Sequence, residues 1–118
     1  MAKFLFVLGS GLGNSNNPTR CLQFVQVAHQ EGHEVSLFLI DEGTVFAREG
    51  ITENVVAPTG EEGDLAMQYI LREKIPIYVC TPCAMTRGVT EDVLVEGAEY
   101  AVAKKLIELA AEATVFNF

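Results

Sequence analysis

Runs of apolar residues alternate along this chain with segments whose apolar positions recur every three or four residues. Residues 3–9 (KFLFVLG) form a continuous apolar run closed by glycine, the pattern of a strand buried on both faces. A glycine- and asparagine-rich loop comes next, and Asn17-Pro18 sets an N-cap before a proline at the first helical position. Cys21, Phe24, Val25 and Ala28 then repeat at helical spacing, with Gly32 closing the helix. A second apolar strand, residues 34–40 (EVSLFLI), runs into Asp41, Glu42 and Gly43. Thr44–Arg48 reads as a short helix, and a loop extends to about Gly60. Thr59 and Glu62 have capping-box spacing for a helix over about 61–73, whose apolar face takes in Leu65, Met67, Tyr69 and Ile70. Residues 75–80 (IPIYVC) are a third strand, with Pro76 at its start, where a missing N–H is tolerated. Gly88–Glu96 has no firm period and leaves room for a short strand. Ala98, Val102, Leu106, Leu109 and Ala113 mark the face of a last helix, and Thr114–Phe118 is a closing strand.

Buried strands alternating with amphipathic helices predict an α/β fold: a three-layer α/β/α sandwich around a mainly parallel sheet of about five strands. At 118 residues the chain suits a single domain spanning 1–118. In such sheets the loops beyond the C-terminal strand ends gather along one edge, where ligands bind. Three loops meet there: SGLGNSNNPTR after the first strand, DEGTVFAREG after the second and CTPCAMTRG after the third.

Charge removes two classes of partner. The net charge is −8, from 16 acidic against 8 basic residues, and such a surface repels nucleic-acid phosphates and anionic lipid. No apolar stretch approaches the roughly 20 residues that cross a bilayer. The N-terminal run is too short for a signal segment and lacks a small-residue cleavage site. A cytoplasmic location is expected, and with it reduced thiols for the three cysteines.

The chemistry concentrates in VCTPCAMTRG, residues 79–88. A single CxxC is a weak metal signal, because structural zinc usually takes four soft ligands. Of the remaining candidates, His29 and His33 fall at the far end of the first helix, so no metal site is expected. Cys80 ends an apolar strand and reads equally as a small packing residue. Cys83 lies past the strand end, behind Thr81-Pro82, where a side chain is reachable. If a helical turn begins there, its amides and Arg87, four residues on, would stabilise a thiolate or persulfide. Asp41 and Glu42 on the neighbouring loop would oppose this by raising the thiol pKa. In the first loop, Gly9, Ser10, Gly11, Ser15, Asn16 and Asn17 are compatible with an anion site, but a plain turn between strand and helix is the favoured reading. The loop lacks the Gly-Lys-Ser/Thr ending of a Walker A motif, and GSGLGN does not match G-x-G-x-x-G. A nucleotide site is disfavoured.

Taken in order, these segments resemble the DsrE/DsrF-like family of small sulfur-relay proteins, which includes the YchN-like group. The resemblance is carried by the glycine loop closing in Asn17-Pro18-Thr19-Arg20 and by HEVSLFLIDEGTVFA with its Gly43. VCTPCAMTRG and VEGAEYAVAKKLIELAAEATVFNF complete it. It implies a compact α/β/α domain that forms homo-oligomers, trimers or hexamers, and a third-strand-loop cysteine that carries sulfur as a persulfide. That role maps to Cys83 or Cys80, with Arg87, Gly9, Ser10, Gly11, Asn17 and Gly43 shaping the pocket, no cofactor, and sulfur donor and acceptor proteins as partners. Because Cys80 ends a strand and Cys83 precedes Arg87, Cys83 is the expected sulfur-bearing thiol. Two other readings stay open: a ligand- or protein-binding oligomer with structural cysteines, and a Cys80–Cys83 redox pair. The run VFNF, Phe46 and the loop ITENVVAP (51–58) supply apolar surface for an oligomer interface.

Overall fold

The computed structural model describes residues 1–14 and 16–118; Ser15, one of the residues read as a possible anion ligand, lies outside them. Five strands, β1 (Lys3–Leu8), β2 (Glu34–Leu39), β3 (Ile77–Cys80), β4 (Ala98–Ala101) and β5 (Thr114–Asn117), form one sheet in the order β4-β3-β2-β1-β5. Every pairing is parallel. Among the described residues four α-helices accompany them: α1 (Asn16–Gln30), α2 (Gly63–Arg72), α3 (Thr81–Thr86) and α4 (Ala103–Ala110).

The continuous apolar run of β1 is explained by its central place between β2 and β5. Leu5 and Val7 point to one face, Phe6 and Leu8 to the other, and all four are buried. From β1 to β4 the chain steps in one direction across the sheet. Its connections, α1, α2 and the 81–97 segment, pack on one face around Leu8, Leu22, Leu37, Met67, Ile70 and Val79. From β4 the chain must cross to the far side of β1 to form β5. Parallel crossovers are right-handed, so reversing direction puts the connecting helix on the opposite face. That helix is α4, which covers Leu5, Val7 and Phe38 with Leu106, Leu109 and Ala110. The three layers are therefore unequal: α4 has no fully buried residue.

Several sequence expectations change. The last helix was expected to begin near Ala98, but Gly97, at φ +89°, breaks the chain and Ala98–Ala101 pairs with Ile77–Cys80 as β4. Pairing with an exposed sheet edge here overrides the helical preference of an Ala/Glu-rich segment. The segment expected to admit a short strand, Gly88–Glu96, contains instead a single 3₁₀ turn at Glu91–Val93 and one bridge from Leu94 to Arg48. The capping box does not form: Glu62 makes no side-chain cap, and the Thr59 hydroxyl accepts a hydrogen bond from Arg20 at 3.0 Å. On α2 it is Ala66, with Met67 and Ile70, that faces the core, while Leu65 is 62% exposed. On α1 Leu22 is buried and Phe24 is exposed. The short helix expected at Thr44–Arg48 is a 3₁₀ segment over Asp41–Ala47. Phe46 within it is 0% exposed, and Val55 and Ala57 are also core residues. Of the apolar surface expected to face a partner, this leaves chiefly Val115 and Phe116 on β5, with Val56 in the loop.

Candidate functional site

The C-terminal strand ends carry the three loops at one sheet edge. The second is held by steric demand. Gly43 sits so close beneath the end of β1 that a Cβ there would overlap the Leu8 carbonyl oxygen. Only glycine permits this approach, and the Gly43 amide donates to Ile40 O at 2.8 Å. At the start of this turn Asp41 takes a left-handed backbone, φ 48°, which aspartate tolerates better than most residues. A Cβ on Gly11 would stand 2.8 Å from Glu42 Cβ, so the first and second loops touch.

The third loop turns straight from β3 into α3. Pro82 falls in the first turn of that helix, where its missing N–H costs no hydrogen bond, and Cys80 is the N-cap residue. The Thr81 hydroxyl donates to Ala101 O at 3.1 Å and ties the turn to the end of β4. Three positions apart at this junction, Cys80 and Cys83 bring their Sγ atoms to 3.0 Å. Both are free and half-buried. Cys83 Sγ also lies 3.8 Å from Asp41 Oδ1. Cys80 points to the α4 side, among the neighbours of Leu5, Val7 and Phe38. Burial pushes its thiol above the usual range, the side-chain interaction with Cys83 adds to this, and the Asp41 carboxylate acts in the same sense.

Of the residues predicted for the site, the fold brings Cys80 and Cys83 together and sets Gly43 and Gly11 in the adjoining loops. Arg87 reaches the loop through its main chain: its guanidinium donates to the Cys83 carbonyl at 3.1 Å. The Ser10 hydroxyl donates to Phe118 O at 2.9 Å, anchoring the C-terminus, and the Asn17 amide donates to Asn14 Oδ1 at 3.3 Å. A Cβ added at Gly9 would meet the Ile40 side chain at 3.5 Å, an ordinary contact, so glycine is not sterically required there. Both histidines have partners at the opposite sheet edge: His33 Nδ1 accepts from the Ala2 amide, and His29 pairs with the Tyr69 hydroxyl.

The sequence profile of the DsrE/DsrF-like family matches residues 2–118. The chain belongs to the DsrE/DsrF-like family. It is 29% identical over 91 residues to an uncharacterized protein of Methanopyrus kandleri, covering 77% of this chain and 72% of that one. To an uncharacterized protein of Methanocaldococcus jannaschii it is 27% identical over 110 residues, 93% of each chain. The crystal structure of the ychN protein from E. coli shares the fold at a TM-score of 0.81 and 20% identity, covering 100% of both chains. Within this DsrE/DsrF-like fold, sequence reasoning missed the wall that β4 builds beside the thiols. Cys80 pairs in register with Ala101, and Tyr100 fixes β4 by donating its hydroxyl to Val89 O at 2.7 Å. The expected helical face ran unbroken from Ala98 to Ala113, and its spacing gave no sign that Ala98–Ala101 is a strand.

Proposed function

We propose that this DsrE/DsrF-like protein is a cytoplasmic sulfur carrier that holds sulfane sulfur on Cys83 and passes it to a partner protein. The observation that carries the reading is the pair of free thiols at the C-terminal edge of the sheet, 3.0 Å apart, in a chain of this family. The Cys83 thiolate attacks the terminal sulfur of a donor persulfide. The donor S–S bond breaks, its thiolate leaves with the electron pair, and the new S–S bond is on Cys83. An acceptor thiolate reverses the step. Neither transfer needs a cofactor. Burial raises the thiol of Cys80 and slows its attack at neutral pH, and Cys83 lies past the strand end in the first turn of α3, which favours Cys83 as the acceptor of sulfur. The working unit is a homo-oligomer of the trimer or hexamer type.

The test is intact-protein mass after incubation with glutathione persulfide. The expected result is a gain of one sulfur atom in the wild type and none in Cys83→Ala. Wild-type protein that keeps its unmodified mass with every persulfide tried would overturn the reading.

A further inference from the structure

We infer that Cys80 is a resolving thiol, so that sulfur loaded on Cys83 and not collected by an acceptor is discharged as hydrosulfide while the Cys80–Cys83 disulfide forms. The inference rests on the carrier reading for its first step and on the geometry of the pair for its second.

Sulfur on Cys83 places an S–S bond within reach of Cys80. The inner sulfur of that persulfide is Cys83 Sγ, the atom 3.0 Å from Cys80 Sγ. This is about 1 Å beyond the roughly 2.05 Å of a formed disulfide. Attack on the inner sulfur forms the Cys80–Cys83 bond and breaks the bond to the outer sulfur. With the persulfide ionised, the balance is Cys80–SH plus Cys83–S–S⁻ giving the disulfide plus HS⁻. The outer sulfur leaves with the electron pair and takes up the proton that Cys80 gives up. The sulfane sulfur is reduced by two electrons, and the two cysteines are together oxidised by two. The carried sulfur is itself the oxidant, and a dithiol reductant returns the pair to its starting state.

The local structure suits this step. Thr81 and Pro82 between the cysteines belong to the first turn of α3, and the Thr81–Ala101 hydrogen bond holds that turn against β4. Bond formation therefore joins two groups already placed side by side, which gives an intramolecular attack a large advantage over one from solution. The surroundings also set its pace. Cys80 is kept protonated by its apolar neighbours on the α4 side, by Cys83 and by Asp41. A protonated thiol attacks slowly, so the loaded sulfur persists long enough to meet an acceptor. Discharge is the slower, competing fate.

The experiment loads wild type and Cys80→Ser with glutathione persulfide, removes small thiols, and follows released hydrosulfide together with intact mass under anaerobic conditions. Wild type is expected to lose its added sulfur as one equivalent of hydrosulfide and to finish two hydrogens lighter than the dithiol. Cys80→Ser is expected to keep the sulfur at least ~10-fold longer, having lost the intramolecular attack. Equal release from the two proteins overturns the inference, as does a Cys80→Ser variant that no longer loads, since the roles of the cysteines are then reversed. If neither protein loads, the carrier reading fails, and the resolving pair is tested alone with one equivalent of methyl methanethiosulfonate. Methanethiol release and the lighter mass in wild type but not in Cys80→Ser support resolution by Cys80; a lasting mixed disulfide in wild type overturns it.

Discussion

At the scale of single residues, environment sets the three cysteines apart. Cys21 is fully buried on α1, and desolvation pushes its thiol far above the usual range. Cys80 is pushed up as well, by burial first and then by Cys83 and Asp41. We expect a disulfide-exchange reagent to titrate two thiols in the native protein and three in denaturant; fast labelling of Cys21 in the native state would contradict this. A raised pKa keeps the thiol neutral below it, so alkylation of Cys80 in the Cys83→Ala protein should climb with pH, with a midpoint above that of an exposed cysteine. Asp41 offers a cleaner electrostatic test. Asparagine accepts the left-handed backbone at least as readily as aspartate, so Asp41→Asn removes the charge and keeps the turn. Asp41 is exposed, which limits its effect through screening to at most roughly fivefold. Thiol alkylation at neutral pH should quicken by up to that factor, and a slower reaction would mean that the carboxylate assists the thiols rather than opposing them.

At the scale of elements, the site depends on how closely the 3₁₀ segment Asp41–Ala47 tucks under β1. A methyl group at Gly43 has nowhere to go, because the nearest atom is the Leu8 main-chain oxygen and not a side chain that could swing aside. Overpacking of this kind costs about 1–3 kcal/mol. Gly43→Ala should lower the denaturation midpoint accordingly and, by displacing Asp41, also change thiol reactivity; unaltered urea stability would show that the turn has room to shift. Phe46, fully buried in the same segment, pins it to the core. Its truncation to alanine should cost about 3–5 kcal/mol, as read from the same urea titrations.

At the scale of the whole molecule, the two faces and two edges of the sheet are unequally covered. One edge strand, β5, is exposed along its length. Beside it Phe4, Phe6, Phe24, Val27, Ala28, His33 and Phe116 line an apolar hollow of about 330 Å³. Phe24, Val27 and Phe116 are each 40% exposed or more, a clustering that marks interaction surfaces. On the other face Ile107 of α4 is 67% exposed. The proposed oligomer should therefore use the β5 edge. Light scattering should give a mass that is a multiple of 12.9 kDa, and the pair Phe24→Glu and Val27→Glu, both on the outer side of α1, should shift it to the single-chain value. A wild-type mass of one chain at dilute concentration would remove the oligomer from the account.

Periodicity and local chemistry were enough, in the sequence by itself, to determine part of this protein. The long apolar run of β1 could only be a central strand, and the α1 stripe needed one buried side. VCTPCAMTRG was readable as the end of a strand followed by a turn in which two thiols stand three positions apart. Tertiary structure decided everything that depends on which segments meet. Ala98–Ala101 is a strand because β3 offers it an open edge, a preference its own composition argues against. Phe46 is core rather than surface because the Gly43 approach folds its segment inward. Leu65 faces solvent while Ala66 is buried, because α2 packs against α1 and the sheet through its Ala66, Met67 and Ile70 side, a choice its local pattern does not encode. The difference between Cys80 and Cys83 has the same origin. Their spacing brings them together, but burial on the α4 side and the charge of Asp41, contributed by segments distant in the chain, hold the Cys80 thiol above its usual range.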